Sequence, residues 1–368
     1  MVNHNIFLTM DFPKQIFLCK FAHKRMMMAH NNFTSALLRW FQENGRDLPW
    51  RETTDPYAIW LSEVILQQTR IQQGYAYWER FMQRFPTVEA LAAATEDEVL
   101  RLWQGLGYYS RARNLHTAAR QVVTLGYFPN TFESIRNLKG VGDYTSAAIS
   151  SIAFNIPVAV VDGNVYRVLS RYFGIETPIN STEGKKEFTA LAQSLLPKDQ
   201  PANFNQAMMD FGAIQCTPTS PQCFSCPLSE NCEALRSDRI GQLPIKLKTL
   251  KVKTRHLSYI YIRCKNETAI RRRPGGDIWQ GLWEPLLIEN ENIPNLGGKL
   301  TLLKQKVKHI LTHRIIYADF YLLETQIKPQ LPEGYIWIDE PEIDNYALPR
   351  LFEILLEQVK SLDVTTLL

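Results

Sequence analysis

No apolar run in this 368-residue chain approaches the ~18–20 residues that would span a bilayer, so a helical membrane anchor is not expected. Cysteine is scarce: there are six, and four of them crowd between Cys216 and Cys232. That crowding excludes a dispersed disulfide framework. Charge of one sign is missing too. A net charge of +4 permits nucleic acid as a partner without arguing for it. No period of 20–50 residues recurs, which excludes solenoids and propellers. The first residues lack the charged, apolar and small-residue order of a signal peptide. Met26, Met27 and Met28 offer later starts, and residues 1–25 are expected to be an upstream translation or a disordered tail. What remains is an ordinary globular composition, 45% hydrophobic and 21% charged, with length enough for two cores.

From Asn32 to about Ile214 the apolar spacing is helical. Phe33, Leu37, Leu38 and Phe41 share a face, with Gly45 beyond them as a C-cap. Asp55-Pro56 opens a helix predicted to reach about Arg70, and Thr95 with Glu98 has the form of a capping box. Further helices are expected at 109–125, 143–154, 163–173, 182–195 and 202–214. The only strand-like stretch in this region is Val158–Val161. Residues 239–256 carry six Lys or Arg and no acid, which reads as a basic linker, solvated or touching phosphate. Beyond it the period becomes two. Strands are predicted at 256–263, 268–273, 284–289, 306–310, 315–323 and 335–338, and a terminal helix at 348–362. The fold class is therefore a mainly α N-terminal region followed by an α+β domain.

The chain is organised around Leu138-Lys139-Gly140-Val141-Gly142-Asp143-Tyr144-Thr145 and, further on, Asp162. A helix, a tight Gly-Val-Gly turn and a second helix would present backbone amides to a phosphate. Asp162 is placed to cap the helix that follows it. Beside a phosphate grip, its carboxylate could instead stabilise a cationic sugar. Glu63 falls with Ile59 and Leu66 on one helix face at i, i+4 and i+7. A carboxyl on an apolar face loses solvation, which favours the protonated form a general acid needs. Gln67, Gln68 and Thr69 should end that helix with groups able to meet base edges. Gly105–Arg113 sets aromatics and arginines at a loop-to-helix start, suited to stacking and phosphate contact. Cys216, Cys223, Cys226 and Cys232 have the form C-x6-C-x2-C-x5-C. Such a set can enclose a tetrahedral metal or an iron–sulfur cluster, and the count does not choose between them.

Taken as a set, several runs resemble the adenine DNA glycosylases of the MutY type, in the helix-hairpin-helix superfamily related to endonuclease III. They are Leu48–Arg51, Trp60–Thr69, Gly105–Arg113, the hairpin, Val161–Arg167 and the cysteine loop. The resemblance covers roughly residues 45–232. It implies two helical lobes with the active site in the cleft between them, and a 4Fe–4S cluster on the four cysteines. The implied partner is double-stranded DNA bearing adenine opposite 8-oxoguanine or guanine, met by a monomer in the cytoplasm, at the nucleoid, with no membrane involved. Glu63 resembles the residue that protonates adenine. Asp162 resembles the carboxylate that stabilises an oxocarbenium-like sugar, and Tyr144 and Asn164 resemble residues that support it. Arg51 resembles an adenine-pocket residue. Gln68 and Tyr108 resemble residues inserted beside the 8-oxoguanine, and Thr69 a contact to it. Gly140 and Gly142 supply hairpin amides. Endonuclease III-like lyases carry a lysine where this chain has Tyr144, so a monofunctional enzyme is implied.

The C-terminal part resembles the Nudix-like module that recognises 8-oxoguanine. Arg273-Pro274 and Ile278–Glu284 carry that likeness loosely. Residues 284–304 lack the Glu-rich helix of a catalytic Nudix enzyme. Thr312 and His313 fall where the family reads the lesion, with Leu311 in place of an aromatic. The implied organisation is an extension (1–30), a catalytic domain (31–232), a basic linker (233–255) and the Nudix-like domain (256–368). Two other functions fit parts of the pattern. A lyase on oxidised pyrimidines is opposed by Tyr144, and a non-catalytic DNA-binding module by the presence of both Glu63 and Asp162.

Overall fold

The computed structural model describes residues 32–247 and 252–366, with side chains as far as residue 362. The expected extension 1–30, with Met26, Met27 and Met28, and Lys248 and Lys251 of the basic stretch lie outside these residues. In chain order the helices are α1 (32–44), α2 (Pro56–Ile65), α3 (Ile71–Arg84), α4 (Val88–Ala93), α5 (Glu96–Trp103), α6 (Ser110–Leu125), α7 (Phe132–Arg136), α8 (Asp143–Phe154), α9 (Gly163–Phe173), α10 (Thr182–Leu195), α11 (Pro201–Asp210), α12 (Glu233–Arg236) and α13 (Arg350–Thr366). A π-helix, Phe211–Gln215, continues α11. The strands are β1 (Lys253–Cys264), β2 (Glu267–Arg272), β3 (Trp283–Glu284), β4 (Leu286–Glu289), β5 (Lys299–Leu311), β6 (Arg314–Thr325) and β7 (Tyr335–Asp339). Among the described residues no helix is long and apolar enough to cross a membrane.

The residues gather into two compact units. The first holds the described residues through Trp60, Pro129–Asn137 and Val141–Leu247. Its core joins Phe33 and Leu37 of α1 to Val165, Val168, Leu169 and Tyr172 of α9, with Phe188, Phe204 and Phe211. The helical spacing of those residues puts each set on one face. Burying each large side chain is worth roughly 1.5–3 kcal/mol.

The second unit holds Leu61–Phe128, Leu138–Gly140 and the described residues from 252 onward. Phe81 and Trp103 meet edge to face at 5.7 Å within its helical part. Its mixed sheet runs β3-β2-β1-β6-β5, with β4 also paired to β1 and β7 to β2. β1 and β6 are parallel, and β5 and β6 form an antiparallel hairpin. Alternation along β1 sends Tyr259 and Tyr261 toward Leu351, Phe352, Leu355 and Val359 of α13. Ile260 and Ile262 face the other way, onto Ala269, Leu286 and Leu323.

Several sequence expectations are corrected. The helix opened by Asp55 ends at Ile65 rather than near Arg70. Arg111 donates to the carbonyls of Val64 (3.0 Å), Ile65 (3.2 Å) and Gln67, taking acceptors that a longer helix would have used. Val158–Val161 is not a strand. The Ala159 and Val160 amides bond the side chains of Gln193 and Asn205 (3.0 and 2.9 Å) instead of a neighbouring strand. The expected strand 284–289 divides at Pro285, which has no N–H to give a ladder. The basic stretch is not freely solvated before Leu247. Ile179 and Asn180 bond Ile245 and Leu247, and Arg239 pairs with Glu176.

Candidate active site

Asp162 caps α9. One carboxylate oxygen accepts the Asn164 and Val165 amides at 2.9 and 2.8 Å. The other accepts the Asn164 side-chain amide at 2.8 Å. Arg167 donates to the Asn164 side-chain oxygen at 2.7 Å, so that amide can only turn its nitrogen toward Asp162. Burial pushes the Asp162 carboxyl above the ordinary aspartate range, and the donors from Val165 and Asn164 oppose the rise. The result is an oriented carboxylate that is poorly solvated, so a developing positive charge beside it is strongly favoured. Gly212, in the π-helix, lies against the Asn164 backbone. A Cβ there would stand 2.5 Å from Asn164 Cβ and 3.0 Å from its Cα.

Tyr144 lies one residue into α8, and its hydroxyl donates to Met209 Sδ at 3.6 Å. Arg51 is held by Asp210 through two bonds of 2.8 and 2.7 Å, with its guanidinium 5.5 Å from the Phe41 ring centroid. Asp210 also accepts the Arg46 amide and guanidinium. Burial alone would raise the Asp210 pKa, but the bonds from Arg51 and Arg46 outweigh it and hold the group below the usual carboxylate range. Asp210 and Arg167 both escape a sequence reading, because their partners lie far off or engage them only in the folded chain. The π-helix is equally silent in sequence.

The hairpin forms as expected. Gly140 has φ +77°, and a Cβ on it would meet the Asn114 side chain at 2.6 Å. Gly142 caps α8 with no side-chain bond to the first-turn amides and open space where a Cβ would be.

In the second unit, Glu63 is buried on α2. Gln68 and Tyr108 both adopt left-handed backbone, at φ 59° and 46°, which non-glycine residues seldom occupy away from functional sites. Thr69 follows Gln68 in the same turn, its amide bonded to the Leu66 carbonyl. Arg111 joins the two regions: besides the α2 carbonyls, its guanidinium stands 5.4 Å from the Tyr108 ring centroid. Burial lowers its pKa to about 10, with Tyr108 opposing. Arg111 is thus a structural clamp between the end of α2 and Tyr108. Tyr108 Oη lies 2.5 Å from Thr312 Oγ1. Thr312 and His313 form the exposed two-residue turn between β5 and β6.

The four cysteines of residues 216–232 are free thiols. Arg171, buried, donates to Cys216 Sγ at 3.4 Å and to the carbonyls of Thr217 and Pro218. Burial pushes Cys226 up to about 11, against the Leu228 amide and with the other three thiols adding to the rise. Cys223 and Cys232 are also raised, chiefly by burial and partly by Cys216. Each rise disfavours a separate thiolate at Cys223, Cys226 and Cys232. Among the described residues, no three His, Cys, Asp or Glu side chains converge as they would on a single metal ion.

Residues 61–198 match the family model of the HhH-GPD superfamily base excision DNA repair proteins, and residues 258–358 match the NUDIX domain. A solved thermostable thymine-DNA glycosylase is 32% identical, with a TM-score of 0.54 over 58% of this chain and 99% of that one. Family model and fold together define a base-excision DNA glycosylase built on a helix-hairpin-helix. The adenine DNA glycosylase of Buchnera aphidicola (subsp. Acyrthosiphon pisum) is 31% identical over 350 residues, 89% of this chain and 97% of that protein. The human adenine DNA glycosylase is 45% identical over 213 residues, 55% of this chain and 39% of that one. The chain belongs to the adenine DNA glycosylase family: it is a hydrolase of the N-glycosyl bond.

Proposed function

We propose that this enzyme removes adenine mispaired with 8-oxoguanine or guanine in double-stranded DNA, acts as a monomer at the nucleoid in the cytoplasm, and stops at the abasic site. The observation that carries the proposal is the Asp162 carboxylate, fixed by three donors on the first turn of α9 and deprived of water. Glu63, as a carboxylic acid, gives a proton to the flipped adenine. The electron pair of the glycosidic bond leaves with the base, the sugar becomes an oxocarbenium ion, and Asp162 stabilises it until water adds at the sugar carbon and gives its proton to the Glu63 carboxylate. Asn164 and Tyr144 support that site, and Arg51, locked by Asp210, borders the adenine pocket. Gly140 and Gly142 offer amides to a backbone phosphate. Gln68, Thr69, Tyr108, Thr312 and His313 meet the base opposite the adenine. A phenol at Tyr144 cannot form a Schiff base, so no lyase step follows.

Cys216, Cys223, Cys226 and Cys232 hold a 4Fe–4S cluster in this proposal. When bound, the cluster supplies a cross-link that fixes residues 216–232. The catalytic domain is taken as 31–232 and the opposite-base domain as 256–368, which has no pyrophosphatase activity.

Base release from duplexes with A opposite 8-oxoguanine, G, C or T tests the specificity. Release should be fastest opposite 8-oxoguanine and G, and equal rates on all four would defeat the proposal. Borohydride should trap little wild-type enzyme on DNA; efficient trapping would show a lyase. Asp162→Asn should abolish release and leave mismatch binding largely intact, whereas activity within about tenfold of wild type would reduce Asp162 to a cap.

A further inference from the structure

The connection between β2 and β3, residues 273–282, is more tightly built than a loop requires. Trp279 within it has φ +60°, a conformation that costs a bulky residue dearly unless its surroundings enforce it. The enforcement is visible. The Arg273 amide donates to Leu282 O at 2.8 Å, and the Gly281 amide to Arg273 O at 3.0 Å. Leu282 N–H returns to Trp279 O at 3.0 Å. Arg273 Nε donates to Ile278 O at 3.0 Å. Beside the tryptophan, Asp277 binds three guanidiniums. Arg255 of β1 reaches both its oxygens at 2.9 and 2.7 Å, Arg273 reaches one at 3.0 Å, and Arg314 pairs with the other. Arg314 is the first residue of β6, directly after Thr312-His313, so Asp277 ties the Trp279 loop to that turn. Burial works against the Asp277 charge, but the arginines outweigh it and hold the carboxyl at about 2.

Trp279 lines a cavity of about 630 Å³ together with Tyr108, His309, Leu311, Thr312 and Arg350. Its ring stands 5.7 Å from that of His309. Leu311, also in the wall, has no π face to offer a base. A space of this size, with one large indole, hydroxyls and an imidazole converging on it, suits a purine held flat on an aromatic surface.

We infer that Trp279 is a specificity-determining residue, the aromatic platform on which the purine opposite the adenine stacks, and that Asp277 is its positioning residue. The inference rests on the proposal that Tyr108, Thr312 and His313 meet that purine. The platform holds the purine so that its edge meets those polar groups; without it the purine moves and their selection between 8-oxoguanine and guanine lapses.

The test is the ratio of single-turnover adenine release opposite 8-oxoguanine to that opposite G, measured on the full chain. Trp279→Leu keeps an apolar side chain without a π face and should lower the ratio about tenfold. Trp279→Phe should keep it near wild type. Asp277→Asn should lower the ratio similarly, Asp277→Glu should restore most of it, and Trp279→Leu with Asp277→Asn should lose little beyond either alone. Trp279 also packs against the sheet core. If packing is its only role, Trp279→Leu slows both duplexes equally and lowers the thermal midpoint, leaving the ratio unchanged, which overturns the inference. A normal ratio in Asp277→Asn overturns the positioning role. A wild-type enzyme that does not distinguish the duplexes overturns the opposite-base proposal itself and the platform with it.

Discussion

Asp162 combines two roles that usually fall to different residues. As a cap it needs its charge to accept amides, and as the proposed sugar-stabilising group it needs the same charge to remain poorly solvated. Asn164 reconciles them by adding a donor that favours the ionised form. Asn164→Ala should therefore raise the Asp162 pKa further and move the acid limb of the pH–rate profile to higher pH. An unmoved or lowered limb would show that Asp162 does not set it. Asp210 has the opposite sign. Its folded pKa is depressed, so its stabilising contribution is present above the ordinary value of ~3.9 and is lost as pH falls through the folded value. Asp210→Asn leaves Arg46 and Arg51 short of an acceptor and should cost about 2–4 kcal/mol at pH 7. Denaturant titrations should find that difference shrinking as pH falls below ~3.9; a constant difference would point to packing instead.

Among the elements, the turn after α2 and the hairpin show how backbone geometry sets the site. Arg111 ends α2 early and so delivers Gln68 and Thr69 in a turn rather than on a helix. In the hairpin, Gly140 faces both a left-handed φ and the Asn114 side chain. Gly140→Ala should weaken duplex binding at least about tenfold, with a loss of roughly 1–2 kcal/mol in stability. Gly142→Ala, at φ −103° with open space around it, should fold normally. Equal affinity of the Gly140 variant and wild type for duplex DNA would remove the hairpin from the interface.

For the whole molecule, the consequential fact is that residues 61–128 gather with the C-terminal sheet. Arg113 donates to Gln280 O, Arg272 pairs with Glu96 and Asp97, and the Leu348 amide bonds Gln104. The C-terminal residues are thus a structural support for these helices as well as the proposed reader of the opposite base. A chain ending at Leu247 should melt about 4 °C lower or more, in addition to losing discrimination between 8-oxoguanine and G. An unchanged melting temperature would mean that these contacts add nothing to stability.

Much of this protein follows from the sequence alone, because short-range physics wrote it there. Helical spacing gave α8, α9 and α10 their bounds, and the two-residue period marked most of the sheet. Cysteine crowding singled out the 216–232 loop, and Gly-Val-Gly the hairpin. Asp162 was legible as a cap, since capping is decided within three residues. The tertiary structure decided what depends on distant partners: Arg111 stopping α2, Asp210 holding Arg51, Arg167 orienting Asn164, and Asp277 fixing the loop of Trp279. Most of those bonds join groups far apart in sequence; Arg167 meets Asn164 within one turn but is aimed by the distant carbonyls of Gly212 and Cys216, and no local pattern records that. The fold class was determined by the sequence, and the orientation of nearly every side chain at the site by the packing of the folded chain.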